Sequence, residues 1–417
     1  MALTALFTGA SGLQANSAAL DVIGNNLANL NTTGYKTQRT LFKDLVYQTM
    51  NPGSAPTATS GGTNPAQNGF GVAVGTVDSL FSQGSVNPTG RSLDAAIQGS
   101  GFFVVSNGQS TAYSRAGSFG VDAAGFLVDP NTGFRVQRTG TVGQGSATTP
   151  GFQVPGINDI RVPFGAGAQG TPTSSVTLQG NISSGLSIGQ TASTAIQVFD
   201  SQSSPQALSL TFTKTGVNTY DVAASVSNGT ATLPPTSVTF DTSGLLVSPA
   251  TVTVNVAGIN GAAAQTVTVN LGTAGQATGL TQFGGASTAA AVTQDGSGSG
   301  TLASVSFDGN GQLIGQFSNG RTIPLAQLAI AGFNNEGGLL RQGNNYFSSS
   351  ASSGEAIVGP GGSGGRGTIQ GAALEGANVD ISTEFARLIV AQRGFQVNAR
   401  TITAANDTLQ ELANIIR

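Results

Sequence analysis

The sequence has 417 residues, a formal net charge of −3 and only 8% charged residues, against about 25% in an ordinary globular protein. It contains no cysteine and no histidine, which excludes Ser-His-Asp and Cys-His catalysis and the usual zinc sites. Its near-neutral charge also provides no basic surface of the kind that binds nucleic acid.

The first 30 residues are predicted to form a helix with an apolar seam. The neighbouring row of the same heptad, Leu3, Ala10, Ser17 and Gly24, is mostly small, so a second helix could approach closely there. The segment lacks the charged start and unbroken apolar run of a signal peptide, and no stretch reaches the ~18 apolar residues of a membrane span. We therefore expect neither cleavage nor membrane insertion. The seam consists of Leu6, Leu13, Leu20 and Leu27.

The leucine row stops at a short run of turn residues, followed by an aromatic residue and a charge. This turn comprises Asn31, Thr33, Gly34, Tyr35 and Lys36. Gly34 is expected to supply a backbone conformation that is costly for other residues.

The centre of the chain alternates apolar and polar residues, which is typical of an all-β sandwich or barrel. The alternation is clearest in the runs Leu208–Phe212, Val252–Val256 and Val267–Leu271. A second β region is predicted before and after this one. We expect an outer inserted β domain at 146–300, a middle β domain at 70–145 and 301–347, and connecting linkers at 33–69 and 348–374.

The C-terminal region, like the N-terminal one, is predicted to form a helix with an apolar seam. Its apolar residues recur every seven positions, and Asp380 and residues 382–384 are capping candidates near its start. Neither helix can bury its seam alone, so the two form an antiparallel pair within one chain or pack against other subunits. This seam consists of Ile381, Leu388, Phe395, Ile402, Leu409 and Ile416.

The predicted fold class is a multidomain α+β protein. Its terminal helices, 1–32 and 375–417, pair as an inner coiled-coil-like domain, and nested all-β domains lie between them.

Five stretches resemble signatures of the flagellar axial proteins, the family of rod, hook and hook-associated subunits. NLANLNTTGYKTQRTLF (26–42) resembles the N-terminal signature, and AQRGFQVNARTITAANDTLQELANII (391–416) the C-terminal one. The stretches GRSLDAAIQGSGFFVVSN (90–107), YSRAGSFGVDAAGFLV (113–128) and AGFNNEGGLLRQGNNYF (331–347) resemble the core of the rod and hook members. They occur in the family's order at both ends of the chain.

Within the family, the long insertion at 146–300 favours the hook members, because rod members are much shorter there. Residues 178–224 resemble the hook proteins' outer domain. The stretch 41–55 looks more like distal rod members, which makes the distal rod the alternative function.

The resemblance implies a structural subunit that self-assembles into a flexible helical tube, a universal joint passing torque from rod to filament in motility. The two seams would form the polymer interface on the tube's inner side, and Tyr35 and Lys36 are expected at subunit contacts. The implied partners are further copies of the chain, the rod, hook cap and hook–filament junction proteins, and the flagellar export apparatus. Its location would be the extracellular hook and basal body, reached without a cleaved signal peptide.

The resemblance implies no enzyme, catalytic residue, metal or cofactor. Three other classes stay open on the residues alone. A secreted Ser/Thr/Gly-rich β adhesin fits the central region but not the two seams. A membrane-active amphipathic helix would need a Lys/Arg-rich polar face. A carboxylate enzyme such as a glycosidase would need two close carboxylates, and none of the 19 Asp and Glu residues forms an evident pair.

Overall fold

The computed structural model describes residues 2–145, 151–257 and 261–415. The chain folds into two compact units. Unit 1 comprises residues 1–162, 305–314 and 324–417, and unit 2 comprises 163–304 and 315–323. β-strands are the most abundant secondary structure of the described residues, and a helix lies near each end of the chain, as the sequence predicted.

The two helices are α1 (Ala2–Ala28) and α2 (Ile381–Ile415). Asp380 caps α2, because its Oδ1 accepts a 2.7 Å hydrogen bond from the Thr383 backbone N–H. This bond is the largest cause of the lowered pKa of the Asp380 carboxyl. The predicted capping role of Asp380 is therefore confirmed. A short 3₁₀ helix occupies Glu336–Gly338.

The N-terminal part of unit 1 carries eleven described strands. In chain order they are β1 (Gln38–Asp44), β2 (Tyr47–Asn51), β3 (Ala66–Gly69), β4 (Val72–Ser79), β5 (Val86–Pro88), β6 (Ala95–Gln98), β7 (Phe102–Ser106), β8 (Thr111–Ser114), β9 (Gly120–Val121), β10 (Leu127–Val128) and β11 (Arg135–Val136).

The inserted region carries twelve described strands with strong alternation. They are β12 (Gly167–Ala168), β13 (Ser175–Asn181), β14 (Thr191–Phe199), β15 (Pro205–Gly216), β16 (Thr219–Val226), β17 (Ala231–Thr232), β18 (Thr236–Phe240), β19 (Leu246–Ser248), β20 (Thr251–Val256), β21 (Gln265–Asn270), β22 (Leu280–Thr281) and β23 (Ala290–Gln294).

The remaining described strands lead back to the C-terminal helix. They are β24 (Gly300–Phe307), β25 (Gln312–Phe317), β26 (Thr322–Gln327), β27 (Ile330–Gly332), β28 (Leu340–Gly343), β29 (Tyr346–Ser348), β30 (Ile357–Gly359), β31 (Thr368–Gly371) and β32 (Ala373–Glu375). β12, β24, β25 and β26 form a four-stranded sheet in the order β12-β24-β25-β26.

The largest sheet of unit 1 joins sequence-distant strands in the order β28-β29-β8-β7-β11-β10-β9, with β27 and β30 attached through β7. Its core is aromatic: Phe81, Phe102 and Phe347 meet edge to face with ring centroids 5.4–5.6 Å apart. The last strands pair back onto early ones, β31 with β6 and β32 with β5. The segment before α2 is thereby fixed beside the N-terminal part of the chain.

Unit 2 contains a five-stranded sheet in the order β14-β15-β16-β18-β19. It also contains a sheet in the order β17-β20-β21-β13-β22, with β23 paired to β13. The alternating residues that predicted strands are buried here in one apolar core, which confirms the period-two interpretation. They include Leu208, Leu210, Phe212, Val252, Val254, Val256, Val267, Val269 and Leu271.

The stretches predicted as linkers contain paired strands. Residues 33–69 include β1, β2 and β3, with β1 paired to β4 and β2 to β3. Residues 348–374 include β30 and β31. The domain edges drawn from the sequence stay a prediction.

Candidate assembly interface

The helices α1 and α2 pack against each other antiparallel. Ala19, Ile23 and Ala391 form a small buried cluster between them. Along the pair, Gly9 lies beside Ile402, Gly12 beside Asn398 and Gly394 beside Asn16, so rising numbers on α1 meet falling numbers on α2. Of the two arrangements left open by the sequence, the chain itself contains the antiparallel one.

Small residues let the two helices approach closely. A Cβ atom added to Gly12 would lie 2.6 Å from the Asn398 side chain, and one on Gly394 would lie 2.6 Å from that of Asn16. The small row chosen from the sequence does not face α2, since Ala10, Ser17 and Gly24 are exposed in the chain. The heptad frame had been set on the leucines, whereas the buried row of α1 is Gly9, Gly12, Ala15, Ala19, Ile23 and Asn26.

The predicted seam residues flank this contact. On α1 the leucines Leu6, Leu13, Leu20 and Leu27 are half-buried. On α2, Leu388, Ile402 and Leu409 are half-buried, whereas Ile381 is 46% exposed and Phe395 39%. Ile416 lies outside the described residues. The pair therefore covers only part of each predicted stripe.

Further apolar side chains of the helices point into solvent. Phe7 on α1 is 68% exposed, and on α2 Val390 is 71% and Val397 63% exposed. Phe385 and Ile389 are also about half exposed, at 51% and 50%. The heptad rows did not include Phe7, Ile389, Val390 and Val397. Placing every residue of each helix around its axis, rather than following one heptad row, would have found them, because α2 is apolar on more than one side.

A cleft of about 470 Å³ opens between the two helices and β1. Its wall is mainly apolar and includes Val22, Phe42 and Val390, with Arg39 and Arg387 also lining it. Together with the exposed side chains, it gives the helix pair a surface that one chain leaves uncovered.

The turn after α1 is tightly enclosed by the rest of unit 1. Asn31 is exposed and Thr33 is half-buried, with the Thr33 carbonyl accepting a 2.9 Å hydrogen bond from Asn345 Nδ2. Gly34 has φ of +70°, and a Cβ there would lie 2.6 Å from the backbone of Arg115 and Ala116. Gly34 therefore adopts a backbone conformation that is costly for other residues, as the sequence predicted.

Tyr35 and Lys36 were expected to contact neighbouring subunits, but the chain buries both. Tyr35 is 3% exposed and Lys36 1%. The Arg341 guanidinium lies over the Tyr35 ring, 5.2 Å from its centroid, and also donates to the Lys36 carbonyl. Desolvation raises the pKa of the Tyr35 hydroxyl. These side chains hold the turn within the subunit.

Lys36 belongs to a buried ionic cluster centred on Glu375 of β32. Its Nζ lies 2.7 Å from Glu375 Oε1, and both side chains are fully buried. Arg115 Nη1 lies 3.4 Å from Glu375 Oε2, and the Gly84 backbone N–H donates to Oε1 at 2.9 Å. Burial and then the neighbouring Arg115 lower the pKa of Lys36, and Glu375 partly offsets both. One carboxylate therefore pairs with both buried cations, and Glu336 adds a further negative charge near them.

Two asparagines link the helices to the turn. Asn26 Nδ2 donates to the Gln38 carbonyl at 2.8 Å and to Glu384 Oε2 at 3.1 Å, while its Oδ1 accepts from Gln38 N–H and the Tyr35 hydroxyl. Asn378 Oδ1 accepts from the Thr37 N–H at 2.7 Å. Sequence analysis missed both asparagines and Glu375, because the contacts Asn26–Glu384, Asn378–Thr37 and Glu375–Lys36 join residues far apart in the chain.

Within the described residues, no cluster of three or more acidic side chains could hold a metal ion. No helix in the same part of the chain is long and apolar enough to cross a membrane.

Four family models match the chain. They are the Flagella basal body rod protein (residues 6–36), the Flagellar hook protein FlgE/F/G D1 domain (96–184), the Flagellar basal body protein FlaE D2 domain (170–297) and the Flagellar basal body rod FlgEFG protein C-terminal (370–415). The rod protein match at 6–36 contains the turn and most of α1, and the C-terminal match at 370–415 contains all of α2.

Curated relatives match along the whole chain. The Flagellar hook protein FlgE of Borreliella burgdorferi is 35% identical, with 99% of each chain covered. That of Escherichia coli K12 is also 35% identical, covering 97% of this chain and 98% of the relative. The Flagellar basal-body rod protein FlgG of Bacillus subtilis is 28% identical over all of both chains.

Proposed function

The chain belongs to the flagellar hook protein FlgE family, and we propose how its helix pair builds the hook of which it is a structural subunit. The helices α1 and α2 form the inner part of the polymer, and their uncovered apolar side chains pack against the helices of neighbouring copies. The observation that carries the proposal is the exposure of Val390 and Val397, at 71% and 63%, on a helix already paired within the chain.

Burial of these side chains favours assembly. Fully burying an aliphatic or aromatic side chain contributes about 1.5–3 kcal/mol, and five such side chains are at least half exposed on the helix pair. A helical polymer needs head-to-tail contacts that do not close into a ring. The predicted seam residues that remain exposed, Ile381 and Phe395, add to the same surface.

The polymer acts as a flexible universal joint that transmits torque from rod to filament. In this proposal the helices resist torsion, and the outer β units slide past their neighbours as the tube bends. The chain works outside the cell, contacts the rod, the hook cap and hook–filament junction proteins, and leaves through the flagellar export apparatus without signal-peptide cleavage. The family match supports this assignment.

The test is a pair of exposed-valine substitutions in the full chain. Val390→Asp with Val397→Asp should leave the monomer folded, because both side chains already face solvent, but should abolish polymers in sedimentation and electron microscopy. Val217→Asp is the matched control, since Val217 is 82% exposed in unit 2. Normal tubes from the double variant would refute the role of the helix surface.

The distal rod is the second candidate, because the full-length match to the Bacillus subtilis rod protein reaches 28% identity. Immunogold microscopy of isolated hook–basal bodies, with antibody against residues 171–256, separates the two functions. Label along the curved external tube supports the hook, whereas label confined to the straight rod favours the rod.

A further inference from the structure

The terminal helices carry few charges, and most of these have no partner in the described part of the chain. Glu384 and Arg387 pair with each other at 2.7 Å. The other five charged residues are exposed, and within the described residues their side chains make no ion pair or hydrogen bond. These five are Asp21, Arg393, Arg400, Asp407 and Glu411.

Four of the five unpaired charges form one stripe along α2. Arg393, Arg400 and Asp407 recur every seven residues, and Glu411 follows one turn later. Ala391, Asn398 and Ile402 face α1, and at 3.6 residues per turn the stripe lies on the opposite side of the helix. The stripe is basic in its first half and acidic in its second.

We propose that this stripe is a register-setting contact between copies of the chain. Arg393 and Arg400 of one copy lie against Asp407 and Glu411 of the next, whose α2 runs parallel and is shifted along the helix axis. Arg393 precedes Asp407 by 14 residues and Arg400 precedes Glu411 by 11. At a rise of ~1.5 Å per residue the required shift is about 17–21 Å, and the long arginine side chains can span that range.

The charge pattern itself points to a second copy as the occupant, because the two halves of the stripe complement each other. An antiparallel pair of stripes would also match opposite charges, but that contact is two-fold symmetric and closes into a dimer. A polymer in which all copies point the same way needs the parallel, shifted arrangement, which repeats without closing. The inference therefore rests on the proposed function and adds a partner surface and a register to it.

The stripe sets register more than affinity. Exposed ion pairs contribute little stabilisation each, whereas like charges placed together are strongly unfavourable. Without the shift, Arg393 and Arg400 of neighbouring copies would face each other, as would the acidic residues. The exposed apolar side chains beside the stripe, such as Ile389 and Val397, supply the attraction.

Charge reversal in the full-length chain tests the contact. One variant carries Arg393→Glu and Arg400→Glu, the second carries Asp407→Arg and Glu411→Arg, and a third carries all four changes. The control, Lys43→Glu with Arg161→Glu, changes the net charge as much as the first variant at two exposed residues of unit 1 outside the helices. Polymer is measured by sedimentation over a concentration series and by electron microscopy, with circular dichroism reporting monomer folding.

Each two-residue variant should need on the order of tenfold more protein to polymerise, while the control behaves like the unmodified chain. An equimolar mixture of the two variants, and the fourfold variant alone, should recover polymerisation, because opposite charges meet again. Normal assembly of either two-residue variant would overturn the inference, as would failure of both the mixture and the fourfold variant to recover.

The same series separates this inference from the proposed function. If the variant with Val390→Asp and Val397→Asp fails to assemble but the charge variants assemble normally, only the stripe contact is wrong. If the unmodified chain forms no tube and that valine variant behaves like it, the proposed function itself fails.

Discussion

The substitution Glu375→Gln should destabilise unit 1 strongly, because it removes a carboxylate that is paired with two buried cations. Glu375 accepts from Lys36 Nζ at 2.7 Å, the Gly84 N–H at 2.9 Å and Arg115 Nη1 at 3.4 Å. Glutamine has nearly the same shape, so packing is preserved while the negative charge is lost. Its amide can also turn a donor toward one of these groups.

The magnitude follows from the burial of the cluster. Lys36 and Glu375 are both 0% exposed and Arg115 is 1% exposed, so no solvent screens the unpaired charges that remain. Breaking a buried pair by removing one partner costs about 3–5 kcal/mol. For a unit of this size each kcal/mol lowers the melting temperature by about 2 °C, which predicts a decrease of about 6–10 °C.

Scanning calorimetry of the monomeric chain measures this shift, and Glu355→Gln serves as the control because Glu355 is exposed. The companion variant Lys36→Met should cost less, since Glu375 keeps Arg115 and the Gly84 N–H. The variant that carries both Glu375→Gln and Lys36→Met should lose about 1–3 kcal/mol less unfolding free energy than the sum of the two single losses. A melting temperature for Glu375→Gln equal to that of Glu355→Gln would refute the account of the cluster.

Three further predictions concern the turn, the tyrosines and unit 2. Gly34→Ala should cost about 2–4 kcal/mol in unfolding free energy through its positive φ and blocked Cβ position. Gly24→Ala, in open helical space, should stabilise by about 0.5–1 kcal/mol; equal denaturation midpoints would contradict this. Above pH ~10 the melting temperature should fall, because burial raises the pKa of several tyrosine hydroxyls and the unfolded chain loses those protons first. The lowered pKa of Lys36 acts oppositely but is a single group, so a rise between pH 9 and 11 would refute the assignment. The tyrosines are Tyr35, Tyr113, Tyr220 and Tyr346. Replacing residues 172–296 by a short linker should give tubes of altered curvature; an unchanged bent tube in micrographs would contradict the sliding role. The join is feasible because Ser297 N–H donates to the Thr171 carbonyl at 2.9 Å.

Local periodicity predicted much of the fold. The seven-residue spacing placed both helices, and the two-residue alternation placed strands such as β15, β20 and β21. Gly34 was also predictable, because a glycine that ends a helical pattern commonly adopts a positive φ. These features can be recognised in a sequence because each depends only on residues a few positions away.

The candidate interface was less predictable, because long-range pairing decides it. Lys36 looked like an exposed charge next to a turn, but its buried ammonium pairs with Glu375 of β32, far along the chain, and donates to the Ser82 carbonyl. The leucines looked like the centre of the helix contact, but a row of glycine and alanine allows a closer approach and displaces them to its flanks. A sequence pattern identifies contact residues by their hydrophobicity, whereas close packing of two helices also requires small residues.

The buried contacts around the turn have a mechanical consequence for the proposed joint. A loose connection after α1 would let the helix pair rotate without moving the rest of unit 1. Instead, Asn26 bridges α1, β1 and α2 through hydrogen bonds, and Glu375 ties the turn to β32 and Arg115. Cooperative opening of this cluster would expose several charged and polar groups together, so it resists small displacements. Torque on the helices is therefore passed directly to unit 1, and bending of the tube must come from motion between subunits.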